Sequence, residues 1–216
     1  MKAYAFFLLL FNAFSYGQEH LEPEVSVFSD DVLYDYHRMV VDGFGEAFER
    51  DVHARVIVVP SFRPEYAIAL KEESGTYRLF RLAPEESYWS AYYAREFDSD
   101  RGDADSHREP KIAEKSCERE ITSDLASSIL EVWEAMLLKT RYKISEEIGL
   151  DGVTYHFAGH FNFQLFSGQI WSPGPDTQPG KLVGLAQAMG AWCEDGTSSN
   201  VESLERAVTA LAREIN

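Results

Sequence analysis

"LDGVTYHFAGHFNFQLFSGQIWSP", residues 150–173, sets two histidines four apart among aromatic and amide side chains. Val153, Tyr155 and Phe157 alternate with Thr154, His156 and Ala158, the period of two of a half-buried strand. Phe161, Phe163 and Leu165 then alternate with Asn162, Gln164 and Phe166, and Gly159 between the two runs permits a tight turn. Ile170 and Trp171 continue the apolar pattern after Gly168. On a helix, His156 and His160 would share one side at the spacing of metal-binding histidine pairs. In a strand-turn-strand that geometry is lost, and zinc needs at least one further ligand that the neighbourhood does not offer. The stretch therefore reads as a β hairpin, with His156 and His160 only weak candidates for a metal.

Upstream, "ARVIVVPSF" (54–62) is a β-branched apolar run stopped by Pro60, the pattern of a buried strand. "EYAIALKEESGTYRLFRL" (65–82) holds two strand-like runs around Glu73-Ser74-Gly75, a hairpin signal. From Asp30 to Arg50 apolar residues recur at three and four, a helical stripe weakened at Gly43 and Gly45. These pieces predict a three-stranded antiparallel unit packed on the first helix. Residues 98–120 are polar and read as a surface excursion, the place for a boundary between two lobes. Within it Asp98, Asp100, Ser106 and Glu109 match an EF-hand loop only in part, because Gly102 and Asp103 stand where a ligand and the glycine belong.

The next helix carries Leu125, Ile129, Val132, Trp133, Met136 and Leu137 on one face, with acidic residues at its start and basic ones at its end. After the connector "SPGPDTQPG" (172–180), two more helical patterns close the chain. The expected fold class is α+β: antiparallel β hairpins packed against about four helices, with one disulfide.

The first 17 residues, one lysine followed by a short apolar run and Ser15-Tyr16-Gly17, have the layout of a secretory signal. The run falls short of the roughly 20 residues that span a bilayer. Residues 18–216 are then a single exported domain, periplasmic or secreted, without membrane insertion. Its formal charge of −16, one unit more negative once Lys2 is removed, repels nucleic acid and favours a basic protein partner. Cys117 and Cys193 are the only cysteines, and in an oxidising compartment they are expected to pair.

Catalytic signatures are sparse. There is no Gly-x-Ser-x-Gly elbow and no phosphate-cradling loop, and Gly43-Phe44-Gly45 lies inside a helical pattern, so no cofactor is implied. Were the chain a hydrolase, Asp151, His156 and Ser167 around the hairpin would be the first set to test. Tyr88, Trp89, Tyr92 and Tyr93 crowd one short segment, and with Arg141 they form the kind of aromatic and arginine set that anchors a partner. The expectation is thus a non-catalytic binding protein, of the inhibitor or immunity type, with a hydrolase built around the hairpin as the alternative. Oligomeric state and the partner's identity are left open by the sequence.

Overall fold

A computed structural model describes residues 19–24, 34–97, 112–142 and 151–215. The signal-like N-terminus, the calcium-like loop residues and most of the stretch 98–113 lie outside them. Six strands form one sheet: β1 (Val52–Pro60), β2 (Tyr66–Glu73), β3 (Thr76–Ala83), β4 (Glu114–Ile121), β5 (Val153–Phe161) and β6 (Gln164–Trp171). Their order is β4-β3-β2-β1-β5-β6, and every neighbouring pair is antiparallel. Helices α1 (Tyr34–Gly43), α2 (Tyr88–Phe97), α3 (Ser123–Leu138), α4 (Gln178–Asp195) and α5 (Ser198–Ile215) complete an α+β fold.

The continuous apolar runs of β1 and β2 have a direct cause: both faces of these strands are covered. Ala54, Val56 and Val58 join Ile68, Leu70, Phe157 and Ile170 in one core, against Trp133 and Met136 of α3, Leu185 and Met189 of α4 and Leu204 of α5. The alternate positions, Ile57, Ala67, Ala69, Phe80 and Leu82, build a second core against Tyr36 and Met39 of α1 and Tyr88 and Tyr92 of α2. The first helical stripe breaks where its glycines stand, ending at Gly43 and resuming as a 3-10 turn over Gly45–Phe48.

Three differences from the sequence expectations have physical causes. First, part of the polar excursion is a strand. Residues Glu114–Ile121 pair with β3 as the sheet's edge, and Lys115, Glu118, Arg78 and Glu120 tie it with ion pairs. An edge strand protected by charges carries no apolar alternation to read. Second, the described residues hold five α-helices, because the aromatic segment is helix α2. Third, the β5–β6 turn is not at Gly159. Gly159 lies within β5 opposite Ala54, and a side chain there would collide with the Phe161 ring and the His53 carbonyl. The ring of Phe161 occupies the space that a side chain would fill, so this glycine is a packing site.

The expected cysteine pair is a disulfide. Cys117 of β4 is joined to Cys193 of α4, with Cα atoms 5.7 Å apart. Beside it, Arg119 donates to the Cys193 carbonyl at 3.2 Å and lies over the Trp192 ring. Among the described residues no helix is long and apolar enough to cross a membrane.

Candidate functional site: the β5–β6 hairpin

The hairpin turns at Asn162–Phe163, both in the left-handed region (φ 50° and 65°), matching the turn at Ser74–Gly75 (φ 53° and 79°). Positive φ at both central residues is the type I′ geometry that suits the twist of paired strands. Asparagine tolerates it; phenylalanine does not, and a bulky residue there is strained. Phe163 is also fully exposed (108 %), and Leu165 beside it is more than half exposed. Just below the tip, Phe161 packs on Phe166 with ring centroids 6.3 Å apart. The tip thus presents two apolar side chains on a stiff base.

Farther down, one face of the hairpin carries a polar cluster. The segment 19–24 runs beside β6: Leu21 is in the core, and Glu22 exchanges two backbone hydrogen bonds with Gln169. Gly168 makes this approach possible, because a side chain there would press on Leu21 and the Glu22 carbonyl. Two residues on, Glu24 meets His156, whose Nδ1 lies 3.2 Å from Oε1, and also accepts a hydrogen bond from Ser167. Burial by itself raises the Glu24 carboxyl. The hydrogen bonds from His156 and Ser167, with the charges of His156 and Arg55, together carry it below its ordinary value.

The structure separates the hydrolase set. His156 pairs with Gln169 and Ala158 with Ser167, so His156 and Ser167 are diagonal neighbours, with Cα atoms about 7–8 Å apart. Both side chains turn to Glu24, and among the described residues no hydrogen bond joins them to each other or to Asp151. Asp151 instead lines a groove of about 1030 Å³ at the other end of β5, with Phe62, Arg63, Tyr66 and Gln187. His156 and His160 are likewise apart. Four residues along a strand is about 13 Å, and His160 Nδ1 is bound to the Val52 carbonyl at 3.1 Å.

The aromatic set divides. Tyr88 and Tyr92 are core residues, and Tyr88, pushed up to about 12 by burial, stays neutral. Trp89 (41 % exposed) and Tyr93 (51 %) face outward from α2, with Trp89 edge-on to Tyr36 at 5.2 Å. Helical spacing accounts for the split: the i and i+4 pair 88 and 92 shares the inner face. Arg141 lies at the β6 edge, its amide donating to the Leu21 carbonyl at 3.0 Å, so it does not complete an α2 surface.

Of three further residues that matter here, two escape a reading of the sequence. Glu24 sits in Glu22-Pro23-Glu24 with no local pattern. Phe163 looks like one more apolar position in the alternation. Arg55 alone left a signal, as a charge interrupting an otherwise apolar strand. Comparison with family models, curated proteins and solved structures finds no match to this chain.

Proposed function

We propose that this chain is an exported, non-catalytic binding protein that grips a basic protein partner, as an inhibitor or immunity-type protein does, through the tip of the β5–β6 hairpin. The single observation that carries this reading is Phe163. A large apolar side chain wholly in water gains nothing for the free chain. Placing it at positive φ costs about 1–2 kcal/mol more. Such a residue is explained by a contact that the isolated chain lacks, and aromatic anchors of this kind dominate binding energy in protein interfaces.

The formal charge of −16 supplies the second part of the reading. An acidic surface accelerates encounter with a basic partner and makes the association sensitive to salt. The disulfide and the apolar N-terminal run support export. Exposed Trp89 and Tyr93 on α2 offer a secondary contact.

The test is capture with purified residues 18–216, wild type against Phe163→Gly, at low and high salt. Glycine at this position relieves the backbone strain, so the variant should unfold about 1 kcal/mol later than wild type. It should also lose the captured basic protein. Capture undiminished in the stable variant, or capture insensitive to salt, would refute the reading.

A further inference from the structure

The groove beside Asp151 lies at the opposite end of β5 from the hairpin tip, about 27 Å away along the strand. It runs between the sheet and α4, with a volume of about 1030 Å³. Tyr66 and Tyr155 line it from the sheet, and Gln187 and Glu194 from the helix. Its size is that of a small-molecule site.

The rim is held in place by the chain itself. Pro60 and Pro64 bracket the loop from β1 to β2. Within the loop the Ser61 amide and hydroxyl donate to the Gly152 carbonyl at 3.0 and 2.9 Å. The Gly152 amide donates back to the Ser61 hydroxyl oxygen at 3.0 Å. Glu65 closes the loop by accepting hydrogen bonds from α1 and from the entry to α2, so its charge is committed there. A rim fixed in advance lowers the ordering cost of binding. On this rim stands Phe62, 80 % exposed.

Charge and hydrogen-bonding capacity select the ligand. Arg63 and Arg81 line the groove together with Asp151 and Glu194, a local balance in a chain of formal charge −16. Arg81 lies over the Tyr66 ring at 4.7 Å and 3.1 Å from Glu194. Among the described residues neither Arg63 nor Asp151 is ion-paired, and the Tyr66 hydroxyl has no hydrogen bond. An anion in the groove would face two carboxylates and a cation two guanidiniums, each at a desolvation cost. A hydroxyl group suits both kinds of wall. It donates to a carboxylate, accepts from a guanidinium, and does either with the Gln187 amide and the tyrosine hydroxyls. The faces of aromatic rings are partly negative, which attracts the weakly positive C–H face of a sugar.

We propose that this groove binds a neutral oligosaccharide, with one sugar ring stacked on Phe62 at the rim and its hydroxyls shared among Arg63, Asp151, Gln187 and Tyr66. The site does not depend on the hairpin-tip contact, and either can stand without the other.

The experiment follows the backbone amide resonances of the purified protein during titration with three neutral trisaccharides: maltotriose, cellotriose and tri-N-acetylchitotriose. Adenosine serves as a neutral flat ring, and sodium acetate and ethylammonium chloride as the two ions. At least one trisaccharide should shift the signals of Phe62, Gly152 and Gln187 saturably, while adenosine and the ions bind more weakly. Phe62→Ala should weaken that binding about tenfold. Because the ring lies in water, this variant should unfold at the wild-type temperature. Phe62→Trp, which keeps a stacking face, should bind at least as tightly as wild type. No saturable shift with any of the three trisaccharides, shifts centred away from the groove, tighter binding of adenosine or of either ion, or a folded Phe62→Ala that binds as wild type does would each overturn the proposal.

Discussion

Glu65 is where α2 is attached to the rest of the molecule, and its replacement by glutamine is a sharp test of the fold. Glu65 ends the connection from β1 to β2, and its buried carboxylate meets Tyr36 of α1 on one side and the start of α2 on the other. Oε1 accepts from Tyr36 at 2.9 Å, Trp89 N at 3.0 Å and Ser87 Oγ at 3.3 Å, and Oε2 accepts from Tyr88 N at 2.9 Å. Two of these donors are amides at the first turn of α2, so one side chain caps the helix and bonds it to α1. Glutamine keeps the shape but puts an NH₂ donor where one oxygen was, and a donor facing the Tyr88 amide is a lost bond. The remaining bonds weaken from charged to neutral, each by about 1 kcal/mol. Removing a buried charge returns part of its desolvation, which holds the net loss to about 2 kcal/mol. For a domain of this size that is about 4–8 °C in Tm. Thermal and urea unfolding of Glu65→Gln, with Tyr36→Phe as the single-bond comparison at about 1–2 kcal/mol, check the figure. A Glu65→Gln variant as stable as wild type would refute the claim that this carboxylate holds α2 in place.

Two further outcomes follow from the same structure. Replacing Cys117 and Cys193 together by serine removes a link between residues 76 apart and should cost up to roughly 4 kcal/mol, measured by urea unfolding under oxidising conditions; wild type whose stability is unchanged by reductant would contradict this. Because the folded Glu24 carboxyl is held below its ordinary value of 4.5, its contribution is full above that pH and is lost as pH falls through the lowered value. Melting temperature followed down through the acid range should therefore decline less steeply in Glu24→Gln than in wild type, and identical profiles would remove Glu24 as a stabilising group.

The α+β class, the β1–β2–β3 unit, the hairpin of residues 153–171, the helices α3 to α5 and the cysteine pair were legible in the order of residues alone. Each rests on local or compositional physics: an apolar period of two or 3.6, turn residues, and two thiols with only each other to meet. Tertiary structure decided the rest. Whether Gly159 turns the chain or packs under Phe161 depends on what lies across the sheet, not on its neighbours in sequence. Strand β4 exists because β3 offers it an edge, and its charges hide it from any apolar pattern. Which of the four clustered aromatics are core and which face outward waited on the faces of α2. The polar cluster needed more still, since Glu24, Arg55, His156 and Ser167 come from four segments up to 143 positions apart and meet only when β6 and the 19–24 segment close beside β5. Periodicity reports which side of an element faces the core; it carries no information on which charges from distant segments are brought together there.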